Sequence, residues 1–263
     1  MEEPIIQIRD LVVTYGNRTI LDGINLDINK GESIAILGKS GCGKSTLLRH
    51  IIGLSVPTRG QILIKGHDIT TMTESEKVEL LKKVGMLFQS AALFNSMTVG
   101  DNVALALREH TQLEESTIKI MTNMKLDLVG LSGFENFKPS QLSGGMKKRA
   151  GLARSLAMDP EILFCDEPSA GLDPVVAAGI DQLILRLKRA FKMTIVVVTH
   201  ELASVEIIAD RVAMMHEGKI LAVGTTEELK NNPSPVTQQF FNRVPDDDEI
   251  DREKFLNTLT GST

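Results

Sequence analysis

The sequence predicts an α/β fold: a mostly parallel, doubly wound sheet core, an antiparallel β subdomain beside it and an inserted helical subdomain. Three observations predict it. The apolar run Ser33-Ile34-Ala35-Ile36-Leu37 enters Gly38-Lys39-Ser40-Gly41-Cys42-Gly43-Lys44-Ser45-Thr46, and helical spacing through Leu47, Leu48 and Ile51 follows. Apolar strand runs at 84–88, 161–165 and 194–199 alternate with helix-patterned segments at separations long enough for crossovers, which favours parallel pairing. Between residues 90 and 138 strand signals stop and helical spacing replaces them.

The glycine-rich stretch reads G-x-x-x-x-G-K-S in the context its chemistry needs, after a strand and before a helix. Glycines let backbone amides wrap closely around an anion, and the helix N-terminus adds its positive dipole end. Lys44 is placed to reach β- and γ-phosphates, and Ser45 offers a hydroxyl to Mg²⁺, which bridges protein and nucleotide while keeping several waters. The residues expected to line the cradle are Gly38, Lys39, Ser40, Gly41, Cys42, Gly43, Lys44, Ser45 and Thr46.

With 263 residues, 42% hydrophobic and 24% charged, the chain can bury a sizeable core. Cys42 and Cys165 have no paired spacing, which disfavours a disulfide framework and points to a reducing, cytosolic compartment. The start, Met1-Glu2-Glu3-Pro4, lacks the basic-then-apolar order of a secretory signal. No stretch approaches the roughly 18 uninterrupted apolar residues of a membrane span, so a membrane role is expected to come through a partner. The net charge of −5 gives no basic footprint for nucleic acid, and none is expected as a ligand.

In chain order, Ile6, Ile8, Leu11 and Val13 begin an edge-like β region that 20–28 continues, alternating at Ile24, Leu26 and Ile28. Tyr15 follows the first strand; alone it reads as a half-buried packing residue, and beside a phosphate loop as a ring that stacks on adenine. A strand over 61–64, a polar helix over 74–83 and a short strand over 84–88 follow, the last delivering Gln89 to the sheet edge as a metal or water sensor. The insertion is expected to pack on Val103, Leu105 and Leu107, then on Ile118, Met121, Met124, Leu128 and Val129. A helix over 175–191, the β-branched strand 194–199 and a hairpin across Glu217-Gly218 complete the sheet. Residues 1–225 are expected to form the main domain, with its helical part at about 90–158. Residues 226–263, with Pro233, Pro235, Pro245 and Asp246-Asp247-Asp248-Glu249, are expected to be a partly helical or disordered extension. Ile250, Phe255 and Leu256 either stay solvated or dock on a neighbouring subunit.

Ligands of such sheets bind beyond the carboxyl ends of the strands, where Gly38, Gln89, Asp166 and Thr199 all fall. Asp166 is placed to reach the Mg²⁺ end of the cradle and Glu167 to polarise a water aimed at the γ-phosphate. An Asp-Glu pair before Pro168 can also cap a helix, but the upstream phosphate loop favours catalysis. His200 follows the neighbouring strand and is placed to hold the γ-phosphate or the water. Ser143-Gly144-Gly145 opens a second helix with bare amides, a second anion site in one chain. If the insertion holds it away from the first cradle, two copies arranged head-to-tail can enclose one nucleotide between them.

These motifs make residues 5–225 resemble the ATP-binding-cassette ATPases. The resemblance implies ATP and Mg²⁺ as ligands, a P-loop nucleotidase fold and a homodimer. It gives Tyr15 to adenine and residues 38–46 to Walker A. Gln89 becomes the Q-loop glutamine, and Ser143, Gly144 and Gly145 the signature. Asp166 becomes Walker B, Glu167 the base, Gly171-Leu172-Asp173 the D-loop and His200 the switch histidine. Lys44, Gln89, Glu167 and His200 are the expected catalytic set; Ser45, Gln89 and Asp166 are the expected Mg²⁺ ligands. The family's signature usually ends in glutamine, whereas Met146 followed by Lys147-Lys148-Arg149 stands here.

Phe88-Gln89-Ser90-Ala91-Ala92-Leu93-Phe94, Asn102-Val103-Ala104, Leu107-Arg108-Glu109-His110-Thr111 and the methionine-bearing signature resemble the ATPase subunits of Mla- and Mce-type phospholipid transport systems of bacterial envelopes. That resemblance implies an integral membrane permease meeting residues 90–140, lipid-binding accessory subunits and a peripheral place on the cytoplasmic face of the inner membrane. Another cargo (amino acid, metal or drug), or a soluble cassette acting on nucleic acid or ribosomes, are the rival readings. The single cassette, acidic balance and lack of a heptad run weigh against the latter.

Overall fold

The computed structural model describes residues 4–244. Two antiparallel strands, β1 (Ile6–Tyr15) and β2 (Arg18–Ile28), precede β3 (Ser33–Leu37) and α1 (Lys44–Ile51). Then come β4 (Arg59–Ile64), β5 (His67–Asp68), α2 (Glu74–Leu81) and β6 (Val84–Leu87). The helical part holds α3 (Val99–His110), α4 (Glu115–Leu128), a single 3₁₀ turn at Pro139–Gln141 and α5 (Gly144–Ser155). The chain returns through β7 (Ile162–Asp166), α6 (Pro174–Phe191), β8 (Thr194–Thr199), α7 (Leu202–Ile208) and the hairpin β9 (Arg211–His216) and β10 (Lys219–Gly224). It ends in α8 (Thr226–Lys230) and α9 (Pro235–Phe241).

The strands form two sheets. The six-stranded core runs β10-β9-β3-β8-β7-β6, parallel except for β10, and the other runs β2-β1-β4-β5. The early strands thus form the expected antiparallel subdomain, a sheet of their own completed by β4 and β5. β3, β7 and β8 are buried along nearly their whole length because helices and the second sheet cover both faces, so a continuous apolar run replaces alternation. One apolar cluster joins Ile8, Leu11 and Ile24 to Ile36, Leu47 and Phe164 between the sheets; a second lies on the opposite face under α5 and α6.

In α4 the expected stripe is shifted. Met124 and Leu128 are 59% and 40% exposed, whereas Ile118, Thr122, Lys125 and Leu126 are buried. Lys125 is buried by its long stem and keeps its ammonium on Asp159 at 2.5 Å, so a charged residue occupies the position that apolarity assigned to its neighbour. Helix termini follow local chemistry: Thr73, Thr98 and Thr225 each close a capping box on α2, α3 and α8. Of the expected 226–263 extension, α8 and α9 are described, with Leu229 buried and Phe240 and Phe241 packed beside Leu37 and Val205. The acidic run 246–249 and Ile250, Phe255 and Leu256 lie outside the described residues.

Candidate active site

Sheet register places the functional strand ends side by side. Leu37 pairs with Thr199, Asp166 with Val198 and Leu87 with Cys165, so the segments carrying Gly38, His200, Glu167 and Gln89 leave the sheet at one rim. Parallel pairing of neighbouring strands makes this convergence possible.

The loop after β3 is shaped by what it touches. A Cβ on Gly38 would lie 2.3 Å from Met215 O, so only glycine lets the loop pass beneath β9. Gly43 adopts φ +106 directly before α1. Cys42 O accepts from Gly218 N at 3.1 Å, fastening the loop to the β9–β10 turn. Lys44 is buried and donates to Gly38 O at 2.7 Å and Lys39 O at 3.0 Å, which holds the ammonium over the mouth of the cradle. The cavity there has a volume of about 550 Å³ and is lined by the loop together with Arg18, Thr19, Ile20 and 216–218. Ser40 and Ser45 are exposed, and Thr46 is half-buried. Tyr15, at the end of β1, is 56% exposed, which leaves its ring accessible for stacking.

Asp166 and Glu167 take different environments. Asp166 Oδ1 is buried without a hydrogen-bond partner, and burial, then the neighbouring Glu167, pushes its pKa up against the pull of Arg49, Lys148 and Lys44. A buried orphan carboxylate oxygen beside a phosphate cradle fits a cation. Among the described residues no three His, Cys, Asp or Glu cluster as a metal cage, so the donors here are one carboxylate and the Ser45 hydroxyl, a set suited to Mg²⁺ shared with phosphate. Gln89 follows β6 in an exposed turn on the same rim, and among the described residues no hydrogen bond fixes its side chain.

Glu167 is buried in the left-handed region at φ 47. Its Oε1 accepts from His200 Nδ1 at 2.7 Å and its Oε2 from Thr199 Oγ1 at 3.1 Å. Its backbone N donates to Val198 O at 2.8 Å, and its carbonyl accepts from Lys148 Nζ at 2.8 Å. The carboxylate is therefore gripped by two consecutive residues at the end of β8, while half-exposed His200 keeps its other ring nitrogen for a ligand.

Ser143 caps α5, its Oγ accepting from Met146 N at 3.3 Å, and Ser143 and Gly144 are exposed. Gly145 is buried against Val176 at the start of α6. Asp173 caps α6 through Val175 N and Val176 N at 3.2 and 3.1 Å, so the carboxylate of Gly171-Leu172-Asp173 is a cap within its own chain. The cavity beside the phosphate loop is walled by residues 39–42 with 18–20 and 216–218, and neither the Ser143 turn nor Lys44, Asp166, Glu167 or His200 lines it. The structure therefore gathers Lys44, Ser45, Gln89, Asp166, Glu167 and His200 on one rim and puts the serine-glycine turn on a separate exposed helix end.

Sequence reasoning did not single out Thr199 as a partner of Glu167, nor Lys148. A signal existed for Lys148: Gly145, Lys148 and Leu152 stand at i, i+3 and i+7, on one helical face that is buried throughout. Nothing in periodicity marked Arg18 or His216 as cavity walls, because the β-hairpins bring them from far along the chain.

The family model for ABC transporter matches residues 21–170. The intermembrane phospholipid transport system ATP-binding protein MlaF of Haemophilus influenzae is 43% identical over 92% of this chain and 91% of its own length. The probable ribonucleotide transport ATP-binding protein mkl of Mycobacterium leprae is 44% identical over 90% of this chain and 68% of its own. Among solved structures, a dimeric ATP-binding cassette in a post-hydrolysis state with ADP and Pi superposes at a TM-score of 0.78, with 30% identity, over 84% of this chain and 98% of that one. Because the match takes in the phosphate loop, the serine-glycine helix end and the paired acids together, the chain belongs to the ABC transporter family of ATP-hydrolysing cassettes.

Proposed function

We propose that this chain is one of two identical ATPase subunits that close head-to-tail around two ATP molecules beneath a membrane permease and power phospholipid movement within a bacterial envelope. The observation that carries the reading is the separation of the two anion-binding ends. Exposed Ser143 and Gly144 lie at the N-terminus of α5, on a different element from the phosphate loop after β3, which suits completion of each site by a second copy.

In that assembly Tyr15 stacks on adenine, residues 38–46 wrap the phosphates, and Lys44 leaves its loop carbonyls for the β- and γ-phosphates. Ser45, Asp166 and Gln89 are the residues that would hold Mg²⁺, which when bound neutralises charge on the phosphates. Glu167, held by His200 and Thr199, orients the attacking water and accepts its proton. His200 and the partner's signature turn stabilise the charge that develops on the γ-phosphoryl oxygens. Residues 1–225 serve as the cassette, 90–158 as its helical subdomain and 226–263 as an extension.

A groove between α2, β6 and α3 supports a permease contact. Met86, Phe88, Phe94 and Leu105 line its apolar floor, with Glu109 and Arg154 at its edges, which suits a short amphipathic helix. No described helix is long and apolar enough to cross a membrane, so a place on the cytoplasmic face of the inner membrane requires such a partner. Phospholipid is the favoured cargo because of the likeness to the MlaF protein, and MCE-type lipid-binding subunits follow as partners.

Glu167→Gln should keep ATP binding but trap an ATP-bound dimer, measured by size-exclusion chromatography with and without ATP; near-normal turnover would refute the role. For the cargo, the complex purified from its native membrane should carry phospholipid, and a bound nucleotide derivative in its place would favour the mkl-like reading.

A further inference from the structure

Helix α5 carries at its N-terminus the turn assigned above to the partner's nucleotide, and from its second turn Lys148 points into the interior, 6% exposed. Its ammonium donates to the backbone carbonyl of Glu167 at 2.8 Å. The only other partner of that oxygen among the described residues is Ala170 N at 3.3 Å. Glu167 is also a non-glycine residue in the left-handed region, φ 47, a strained conformation that persists only where surroundings enforce it. Three contacts enforce it: Val198 O accepts from its amide, and Lys148 Nζ and, at longer range, Ala170 N donate to its carbonyl. A buried lysine given to a main-chain oxygen is an expensive way to stabilise a fold, because its charge must be desolvated; burial indeed pulls its pKa down.

We propose that Lys148 is a positioning residue for hydrolysis, tying the helix that reaches the second copy's nucleotide to the peptide that aims Glu167 at its own. The inference rests on the reading of Glu167 as the base. In it, a shift of α5 as Ser143 meets the partner's phosphate is transmitted through one charge-assisted hydrogen bond to the backbone of Glu167, so the two sites of a dimer sense each other through a single helix. Lys148 touches neither nucleotide, and its effect appears in turnover rather than in binding.

The experiment uses the full chain in its purified complex and compares Lys148→Met, Lys148→Arg, Glu167→Gln and the double variant Lys148→Met/Glu167→Gln. Lys148→Met should lower kcat by about tenfold to a hundredfold, the scale of a misaimed catalytic group. KM for ATP should move by less than about twofold and Lys148→Arg should recover most of the rate, as expected for loss of a positioned donor rather than of ground-state binding. The double variant should be scarcely slower than Glu167→Gln alone, because both changes remove the same group's action. Turnover of Lys148→Met within about twofold of the parent, or rate losses that multiply in the double variant, would overturn the proposal. If Lys148→Met does not fold, Lys148→Arg and Lys148→Gln decide: rate retained by arginine and lost by glutamine supports it, and equal rates overturn it. Should Glu167→Gln itself hydrolyse ATP normally, the reading of the base fails; should it be inactive while Lys148→Met is not, only the positioning role fails.

Discussion

Gly145→Ala isolates the placement of the signature turn from the chemistry behind it. A Cβ there would lie 2.6 Å from Val176 Cγ1, whereas ordinary contact begins at 3.4 Å, so α5 and α6 must part by about 0.8 Å or Val176 must turn. Valine in a helix holds one χ1 rotamer, and Val176 sits in the first turn of α6, so the helices separate. Overpacking of this kind costs about 1–3 kcal/mol. Against it, alanine favours helix over glycine by up to about 1 kcal/mol. The net loss is small, a thermal midpoint lower by a few degrees at about 2–4 °C per kcal/mol for a chain of this size. Displacement of Ser143 is not offset by propensity, and a misplacement near 1 Å can cost about a hundredfold in rate. Turnover should therefore fall tenfold to a hundredfold, by about that principle, while ATP binding to the phosphate loop of the isolated subunit stays near parent affinity. A Gly145→Ala protein hydrolysing ATP at the parent rate would refute the placement argued for Ser143.

Asp166→Asn should raise the thermal midpoint of the nucleotide-free protein, because burial makes its charge a burden, and should abolish the extra stabilisation given by Mg²⁺-ATP; differential scanning with and without the ligand reads both. Asp181 is buried with Oδ1 unpartnered, and burial lifts its pKa, helped by Glu201 and opposed by hydrogen bonds from Ser204 and Ser169. Its folded pKa lies above its unfolded value, so the penalty is fully present above the folded pKa and is relieved as pH falls through it. Urea midpoints measured from neutral pH downward should show that gain, and Asp181→Asn should flatten it. Asn102 is buried, accepting from Phe94 N at 2.7 Å and donating to Phe94 O and Thr98 O at 3.1 and 2.8 Å, which staples one wall of the groove. Asn102→Ala should cost about 1–3 kcal/mol by leaving these groups unpaired and should weaken co-purification of the permease more than basal turnover.

The core strands and the phosphate loop were legible because β-branched runs and glycine spacing act locally. Ser33–Leu37 and Thr194–Thr199 could hardly be anything but buried parallel strands, and each arrives at its rim as expected. What was not legible depended on long-range pairing or on side-chain reach. That β4 leaves the phosphate-loop helix to join β1, in a separate sheet, is decided by cross-strand partners such as Ile8 and Ile62, which no local pattern exposes. In α4 Lys125 displaced Met124 from the interior because a lysine can bury its stem and keep its charge on Asp159, whereas an apolarity count credits only the methionine. The grip of Thr199 and His200 on Glu167 required the register of two strands, although both residues had been placed at the right end.

The places where local rules are broken fall together. Asp166 leaves a buried oxygen unpartnered, Glu167 sits left-handed without being glycine, and Lys44 spends its charge on the carbonyls of its own loop. Each is costly in the nucleotide-free chain, and a polyphosphate with a cation answers the two electrostatic ones: the cation meets Asp166, and Lys44 exchanges dipoles for full charges. The left-handed Glu167 is not answered that way, since no phosphate relieves a backbone angle. Its support has to come from the protein, through Val198 and through Lys148 on the helix that faces the second copy. On the roles proposed for Lys44, Asp166, Glu167 and Lys148, nucleotide binding and hydrolytic alignment rest on different partners, and the base is aimed only as firmly as α5 is held.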